Sequence, residues 1–331
     1  MSKILVTGAA WCLWSNLVRR LVRDRHDVSI LIKPHTWHPF LDGLPITVFY
    51  GDIRHREDVL HALQGVELLY QVAGVVSYAL LDNQDMYTTH VDGVKNVLDC
   101  AHDLWIKKIV VTASTAGVGI PNHQIPLTED VPFDTRYNSV MSMYSKYCTI
   151  ELCREYAHHW LDVVCVSPTT LYGPGDTKMH IGKVVRKIYE EKLRFVPPGG
   201  NAVVSVSDAV EWHILAMNRG ISGENYILSD ECMLYSDMFA RIAKLLWKSS
   251  KFTVMPRYIL PFLKFFCTCQ EYLLYLFHRK PPLSPRALNF TFKYRYFDAS
   301  KARRDLSWIP KQSFEESIVE AVEFYKNQNL I

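Results

Sequence analysis

The sequence lacks the patterns that mark several specialised classes of protein. Its 331 residues carry a formal net charge of only +3 and no block of lysine or arginine, so nothing indicates a nucleic-acid partner. The eight cysteines follow no framework spacing, and the first residues form no leader-like segment. Cys267 and Cys269 have no second Cys/His pair close by at ligand spacing, so we expect no metal site. We therefore expect a cytoplasmic protein with reduced cysteines.

The chain is also short of uninterrupted apolar sequence. Its most apolar window, residues 258–277, reads YILPFLKFFCTCQEYLLYLF, whereas a membrane span needs roughly 20 mostly apolar residues. Pro261, Lys264, Gln270 and Glu271 interrupt this window. The pattern favours a lid or a partly buried helix. The alternative is a helix that lies in a membrane interface and makes the protein membrane-associated.

The composition is otherwise that of an ordinary globular protein, with 49% apolar and 21% charged residues. Near the start of the chain, Ile4 to Val6 form a short apolar run typical of a strand buried on both faces, and Thr7-Gly8 closes it. From about Cys12, apolar residues recur at helical spacing. A strand that leads through a tight turn into a helix predicts the first unit of a dinucleotide-binding fold, whose helix N-terminus attracts a pyrophosphate.

This opening resembles that of the extended short-chain dehydrogenase/reductases, whose pattern is T-G-x-x-G-x-x-G. Thr7 and Gly8 match the pattern, but Trp11 and Trp14 stand at its second and third glycines. The second glycine lets the backbone approach the phosphates, and the third lets the helix pack closely on the strand. An indole brings a side chain of roughly 150–250 Å² to each position. We therefore expect a weakened or blocked pyrophosphate site on a fold whose first helix has shifted.

The resemblance assigns further cofactor contacts to the ends of later strands. Lys33 follows the second predicted strand, where relatives meet the adenosine ribose, and a base there favours NADP over NAD; a solvated loop lysine is the alternative. Asp52 lies in a G-D-hydrophobic-R turn and is expected to reach the adenine. Ala73 is small enough to keep the crevice open, and Pro168, also assigned to the cofactor site, begins a P-x-x-x-Y-G-P-G-D segment.

The family's catalytic motif is present only in part. Its Y-x-x-S-K, on one face of a helix, corresponds here to Ser142 to Lys146, in which the lysine matches but serine replaces tyrosine. In the family the lysine lowers the pKa of the phenol, which exchanges a proton with the substrate oxygen. A serine hydroxyl is far less acidic than a phenol, whose pKa is about 10, so it is a poor proton donor. Tyr144 faces away from Lys146 on such a helix, and Tyr137 on the preceding loop is the remaining alternative.

Two further positions complete the expected site. Counting back from Gly119 in the family's T-S-S-x-x-x-x-G matches Ser114 to the hydroxyl that orients the substrate, with Thr115 as the runner-up. A helix is predicted from Met86 to Asp103, and within it His90 stands where relatives carry an asparagine near the lysine. Imidazole can replace that amide because it both donates and accepts hydrogen bonds.

The matched motifs run in order through nearly the whole chain, and their agreement predicts the fold class. We expect an α/β protein with a Rossmann-type doubly wound parallel sheet and a smaller C-terminal substrate-binding α/β region, ending in a helix from Phe314 to Asn327. Residues 1–170 form the predicted dinucleotide-binding core, and residues 171–331 mainly the substrate-binding region, with elements returning to the core. The resemblance is strongest to the subgroup of dihydroflavonol reductases, 3β-hydroxysteroid dehydrogenases and related sugar- or isoprenoid-linked epimerases.

Two functions follow from a site changed in this way. One is an NAD(P)-dependent oxidoreductase or epimerase that acts on a hydroxyl or keto group of a hydrophobic substrate, such as a sterol, flavonoid or isoprenoid, or of a sugar. In it Ser114 orients the substrate, Lys146 holds the nicotinamide ribose, and a water or ligand hydroxyl replaces the phenol. The other function is that of a non-catalytic descendant, a pseudoenzyme that binds a ligand or a partner.

Side chains outside the motifs add two indications. Tyr172 and Trp212, together with residues 258–277, favour a pocket for a hydrophobic ligand, although aromatic residues are equally often core. Relatives often form homodimers through two helices, and on the corresponding helices Leu98, Ile150 and Leu152 are apolar enough to permit such an interface.

Overall fold

The computed structural model describes residues 1–8, 12–36, 39–121 and 124–331. The strands in chain order are β1 (Lys3–Thr7), β2 (Asp27–Ile32), β3 (Thr47–Tyr50), β4 (Leu68–Gln71), β5 (Lys108–Thr112), β6 (Val163–Pro168), β7 (Thr170–Tyr172), β8 (Phe195–Val196), β9 (Gly200–Ser205), β10 (Asn225–Leu228), β11 (Glu231–Leu234), β12 (Thr253–Val254) and β13 (Tyr294–Arg295). The helices are α1 (Cys12–Arg23), α2 (Arg56–Ala62), α3 (Asn83–Tyr87), α4 (Val94–Asp103), α5 (Met141–His158), α6 (Gly182–Tyr189), α7 (Val206–Arg219), α8 (Tyr235–Leu245), α9 (Leu260–Leu276), α10 (Pro285–Thr291), α11 (Ser300–Leu306) and α12 (Phe314–Asn327).

The central sheet has seven parallel strands in the order β10-β6-β5-β4-β1-β2-β3. The chain begins at β1, builds outward to β3 and then returns to the other side of β1 with β4, so the direction of winding reverses between β1 and β4. Ligands of open α/β sheets bind outside the carboxyl ends of the strands at such a switch point. The doubly wound parallel sheet predicted from the sequence is confirmed.

Helices cover both faces of this sheet because successive side chains of a strand point to opposite faces. In β1, Ile4 and Val6 pack on the face covered by α1, α7 and α11, whereas Leu5 packs on the face covered by α2, α4 and α5. Leu98 and Ile150 belong to this second layer of core, so neither offers its side chain to a dimer interface. Leu152, the third residue that the sequence suggested, is only partly buried, and the homodimer stays a prediction.

The second half of the chain forms a smaller sheet and also completes the first one. β7, β9, β11 and β13 form the smaller sheet, β8 pairs with β12, and β10 is the edge strand of the central sheet. Tyr172 packs in the core of α6, α8 and α12 beside the smaller sheet, and Trp212 of α7 stacks on Trp308 with ring centroids 3.5 Å apart. These two aromatic residues lie in separate cores and do not form the ligand pocket that the sequence suggested.

The helix predicted from Met86 to Asp103 is interrupted. A π-helical turn, Thr88–Gly93, separates α3 from α4 and leaves Thr89 and His90 buried. Such turns are rare and occur often at functional sites. At the end of the turn a Cβ on Gly93 would lie 2.8 Å from Ile53, so the absence of a side chain lets this segment approach the loop after β3.

The apolar window 258–277 forms α9 and its flanking turns. Glu271 is the one residue of α9 that is buried, and most of its large apolar side chains are exposed. This exposure exceeds what a lid or a partly buried helix predicts. Among the helices of the described residues, none combines the length and the apolarity that crossing a bilayer requires.

Helix α5 packs closely on the 3-10 turn Thr115–Gly117 that follows β5. A Cβ added to Gly117 would lie 2.6 Å from the carbonyl carbon of Lys146 and 2.7 Å from its carbonyl oxygen, closer than real Cβ contacts. Because backbone atoms cannot move aside without moving the helix, the position of α5 depends on this glycine.

Gly117→Ala should lower the free energy of unfolding by about 1–3 kcal/mol, because the added methyl group overpacks the contact with α5. Gly43→Ala is the matched control, because a Cβ there meets no described heavy atom within 4 Å. Since φ at Gly43 is +76°, this variant should lose only the roughly 1 kcal/mol that an alanine costs in a left-handed backbone conformation. Chemical denaturation measures both changes. A loss at Gly117 no larger than that at Gly43 would contradict the tight contact.

Candidate cofactor and active site

A crevice of about 420 Å³ opens at the carboxyl ends of β1 to β4, at the switch point of the sheet. The loops after these strands supply part of its wall, and α1, the π-helical turn and the loop after β7 supply the rest. Its lining includes Gly8, Trp14, Lys33, Asp52, Ala73, Gly74, Thr89, Lys178 and His180. Most of the residues that the resemblance assigned to the cofactor thus line one cavity.

The floor of the crevice is the close approach of β1 and β4. Gly8 has φ +67°, and a Cβ there would lie 2.5 Å from the Cα of Ala73, so this position requires glycine. The hydroxyl of Thr7 accepts hydrogen bonds from the N–H groups of Val72 (3.1 Å) and Ala73 (3.2 Å) and donates one to Gln71 (2.6 Å). These contacts hold the two strand ends together and keep the crevice floor flat and free of side chains.

The tryptophan at the third glycine position leaves the crevice open. The Trp14 ring is buried in the core between α1 and α7 and packs edge-to-face on His213, with ring centroids 5.6 Å apart. Part of the residue also lines the crevice. Helix α1 begins at Cys12, as the apolar spacing predicted. Trp11 lies outside the described residues, and a weakened or blocked pyrophosphate site stays a prediction.

Sequence reasoning missed a contact between the start of α1 and the P-G-D turn. Asn16 donates from Nδ2 to the carbonyl oxygen of Pro174 (2.9 Å), and a Cβ on Gly175 would lie 3.1 Å from the same Nδ2 atom. This contact holds the loop that carries Lys178 and His180 against the crevice. The matched P-x-x-x-Y-G-P-G-D segment was a signal for the turn, but not for the two basic residues behind it.

Charged side chains meet where β2 and β3 end. Asp52 accepts hydrogen bonds from the Arg54 guanidinium (2.6 Å from Nη2) and lies 3.3 Å from the ammonium of Lys33. Burial raises the pKa of Asp52, but the hydrogen bonds from Arg54 and the charge of Lys33 outweigh it and bring the pKa to about 2. Lys33 therefore stands in the crevice as predicted, with part of its charge balanced by Asp52.

The predicted catalytic lysine lies behind Gly74, which lines the crevice. Lys146 Nζ donates to the carbonyl oxygen of Thr112 at the end of β5 (3.4 Å), and a Cβ on Gly74 would lie 3.4 Å from the same Nζ atom. Burial lowers the pKa of Lys146 to about 8, because the charged form loses solvation. The ammonium is thus close to the crevice wall and holds its proton less tightly than a solvated lysine.

His90 takes the supporting position that the sequence suggested. Its Nε2 accepts from the N–H of Val75 (3.0 Å), so the proton of the neutral ring is on Nδ1, which lies 2.8 Å from the hydroxyl of Ser145. Ser145 in turn donates to the carbonyl oxygen of Met141 (2.7 Å). Burial, and then the charge of Lys146, lowers the pKa of His90 well below its usual range. The neutral ring links the loop after β4 to α5.

Two buried hydroxyls at the site have no hydrogen-bond partner among the described residues. One is Thr89 Oγ1, on the π-helical turn in the crevice wall, and the other is Ser142 Oγ, at the position of the family's tyrosine. A buried hydroxyl without a partner is unfavourable by roughly 1–3 kcal/mol, which a bound ligand or water removes. Both atoms are therefore where a ligand would supply the missing partner.

The remaining predicted residues surround this end of the crevice. Ser114 is partly exposed and accepts from the N–H of Ala116 (3.2 Å), whereas Thr115 is buried and directs its hydroxyl to the carbonyl oxygen of Pro168 at 3.4 Å. Tyr137 lies in an apolar cluster beside α5, and its hydroxyl accepts from Lys293 (2.6 Å). Of these residues, Ser114 is the one whose placement leaves a hydroxyl near the surface, as an orienting role requires.

Comparison with known proteins agrees with this arrangement. A family model described as the NAD dependent epimerase/dehydratase family matches residues 4–229. The chain belongs to this family. The motif resemblance to the short-chain dehydrogenase/reductases is thereby confirmed.

Individual relatives span nearly the whole chain. The sequence is 26% identical over 333 residues to a putative dihydroflavonol 4-reductase of Synechocystis sp., covering 98% of this chain and 95% of the relative. It is 27% identical over 333 residues to sterol demethylase protein B of Methylococcus capsulatus, covering 99% of each. The crystal structure of a dTDP-glucose 4,6-dehydratase of Bacillus anthracis in complex with NAD has the same fold, with a TM-score of 0.78 and 19% identity over 99% of this chain and 98% of that one.

A second buried histidine, His213, packs against Trp14. The pH dependence of the free energy of unfolding therefore tests this packing. His213 donates from Nδ1 to the carbonyl oxygen of Ala209 (2.6 Å), and its Nε2 lies 3.0 Å from the Thr112 hydroxyl. Burial lowers the pKa of His213 to about 4, so between pH 6.5 and 4 the unfolded chain binds a proton that the folded chain does not.

The free energy of unfolding should therefore fall as the pH decreases below 6.5, and His213→Gln should reduce that slope by up to about 1.4 kcal/mol per pH unit. Denaturation of both proteins at pH 7, 6 and 5 measures the slopes. Parallel slopes would show that His213 titrates normally and that its packing against Trp14 is looser than described.

Proposed function

We propose that this protein is an NAD(P)-dependent oxidoreductase that acts on a hydroxyl or keto group of a hydrophobic substrate. The observation that carries the proposal is the position of Lys146, whose ammonium lies close to Gly74, a residue in the wall of the crevice at the switch point of the sheet. Membership of an NAD-dependent family supports a nicotinamide cofactor bound next to this lysine. The dihydroflavonol and sterol relatives favour a hydrophobic substrate over a sugar.

The residues in the crevice fit a dinucleotide. The absence of a side chain at Gly8 keeps the floor open, and the cavity is lined by Thr89, whose buried hydroxyl has no partner among the described residues. Lys33 and Lys178 line the crevice and suit a phosphate group. We infer that NADP is favoured over NAD because Lys33 stands where the ribose 2′-phosphate is read in this class of fold.

The nicotinamide ring, when bound, supplies or accepts the hydride. Lys146 would hold the nicotinamide ribose, and Ser114, in the loop after β5, would orient the substrate oxygen. With a pKa lowered to about 8, the Lys146 ammonium also holds a proton that can pass at neutral pH, through water or the Ser142 hydroxyl, to a substrate oxygen. Its neutral neighbour His90 does not compete for that proton.

An apolar cluster beside Ser142 supports the substrate class. Ile120, Tyr137, Met143 and Phe290 form its buried part, and Tyr78 packs against it. These side chains come from the loop after β5, the turn before α5, the start of α5, α10 and the loop after β4. They pack together as core, and we infer that a hydrophobic substrate would enter between this cluster and the crevice. Pockets for uncharged ring systems are lined in this way.

A non-catalytic role is the second candidate, and the replacement of tyrosine by Ser142 favours it. The site keeps Lys146 and Ser114 but has no phenol at that position on α5. In that case the same crevice and apolar cluster would bind a ligand without turning it over.

The cofactor preference can be tested by titrating the protein with NADPH and NADH. Lys33→Ala should weaken NADPH binding about tenfold and leave NADH binding nearly unchanged, because only NADPH carries the phosphate that the ammonium meets. Lys107→Ala, an exposed lysine at the amino edge of the sheet, is the matched control and should change neither. Equal weakening of both nucleotides would contradict the assignment. No binding of either at millimolar concentration would favour the non-catalytic role.

The catalytic assignment can be tested by restoring the phenol. Ser142→Tyr should raise turnover of hydrophobic ketones by about 100- to 10,000-fold, because a phenol beside Lys146 is a much better proton donor. Ser142→Phe adds the same ring without the hydroxyl and should not gain activity. Reduction of a panel of cyclic ketones is followed through NADPH absorbance. Nucleotide binding without any gain in Ser142→Tyr would show that the tyrosine position alone does not limit the reaction.

A further inference from the structure

Helix α9 exposes an unusually apolar stripe. Phe262, Phe265, Phe266, Leu273, Leu276 and the following Phe277 are between 58% and 74% exposed. At 100° per residue these positions fall within an arc of about 120°, so they lie on one side of the helix. Single exposed apolar residues are normal on soluble proteins, but a contiguous stripe of this kind marks an interaction surface.

The opposite side of α9 is attached to the protein. Glu271, on the face away from the stripe, is 2% exposed and accepts from the N–H of Leu80 (3.0 Å) and from the guanidinium of Arg286 (2.9 Å). Arg286 also donates to the carbonyl oxygen of Tyr78 (3.2 Å). A buried ion pair of this kind cannot separate without leaving an unpaired buried charge. The stripe is therefore held facing outward.

These contacts fix α9 to the rim of the candidate site. The segment that Glu271 and Arg286 hold, Tyr78 to Leu80, continues from Gly74 to Val76, which line the crevice, and Tyr78 packs against the apolar cluster beside Ser142. A surface that binds the stripe would thus lie next to the place where a hydrophobic substrate enters.

The charges around the stripe favour a lipid surface over a second copy of the chain. Between residues 257 and 280 the one acidic residue is Glu271, which is buried and paired, whereas Arg257 and Arg279 flank the helix. Lys280 is also basic but lies 2.9 Å from Asp82, and Lys264 is on the side of α9 away from the stripe. Anionic headgroups attract such a segment, and long basic side chains reach the headgroups while neighbouring apolar groups insert. Two copies meeting through this face would instead bring the same positive charges together.

We propose that α9 docks the protein on an anionic lipid surface, with the phenylalanine stripe inserted among the acyl chains and the rim of the candidate site facing the bilayer. A helix with this geometry lies in the interface plane. The docking itself is independent of the proposed function. The consequence that a hydrophobic substrate passes between lipid and crevice rests on the proposed function.

The test is flotation with vesicles of phosphatidylcholine alone and of phosphatidylcholine mixed with phosphatidylglycerol. The wild-type protein should float with the mixed vesicles, and the double substitution Phe266→Asp with Leu273→Asp should reduce its partition coefficient at least about tenfold. Because both side chains are exposed, the double variant should unfold at the same temperature as the wild type. The matched control replaces Trp105 and Trp160, which are 87% and 98% exposed at the amino edge of the sheet, by aspartate, and should float normally.

Two results would overturn the proposal. Wild-type protein that does not float with either vesicle, while folded, would exclude docking on lipid. Sedimentation of the lipid-free wild type as a dimer that the double variant dissociates would assign the stripe to a second copy instead. Measuring NADPH affinity on the same samples distinguishes a failure of the lipid-docking proposal from a failure of the proposed oxidoreductase function. Flotation without nucleotide binding would contradict the proposed function but not the docking.

Discussion

The close approach of β1 and β4 at their carboxyl ends is the contact on which the candidate site depends. Gly8 lies against Ala73, and one hydroxyl, that of Thr7, holds the two backbone N–H groups that follow β4. These strands are neighbours at the point where the winding of the sheet reverses, so their ends form the floor of the crevice. A side chain at Gly8 would push the strands apart. This explains why the first glycine of the turn is present although the next two glycine positions hold tryptophan.

Burial determines the chemistry of the inner end of the crevice. A lysine that has lost solvent holds its proton less tightly, and a neutral imidazole beside it avoids a second buried charge. The hydrogen bonds of His90 to Val75 and Ser145 place its proton on Nδ1, so the support that relatives obtain from an asparagine comes here from a ring. Helix α5 carries this lysine and, one turn before it, a serine hydroxyl that has no hydrogen-bond partner among the described residues.

The outer surface is connected to the crevice through the loop after β4 and through α10. The segment after β4 has Gly74 against Lys146 and His90 at one end and the N–H of Leu80 bound to Glu271 at the other. Because Glu271 is buried and paired with Arg286, these contacts attach α9 to the crevice rim. A polar crevice and an outward apolar stripe therefore occupy adjacent parts of one rim, which suits a reaction between a soluble cofactor and a poorly soluble substrate.

The sequence by itself determined the element order, the positions of the motifs and the bounds of regular elements such as the last helix, Phe314–Asn327, because apolar spacing and capping are local properties of a chain. The resemblance of its motifs to a known family also assigned Gly8, Lys33, Asp52 and Ala73 to the cofactor, and these four residues line one crevice at the carboxyl ends of the parallel strands. Only the tertiary structure decided that the Trp14 ring packs on His213, that His90 is neutral and bound to Ser145, and that α9 turns its apolar side outward. Each of these outcomes depends on a partner far away in the sequence, and no local pattern specifies which distant side chain a residue will meet.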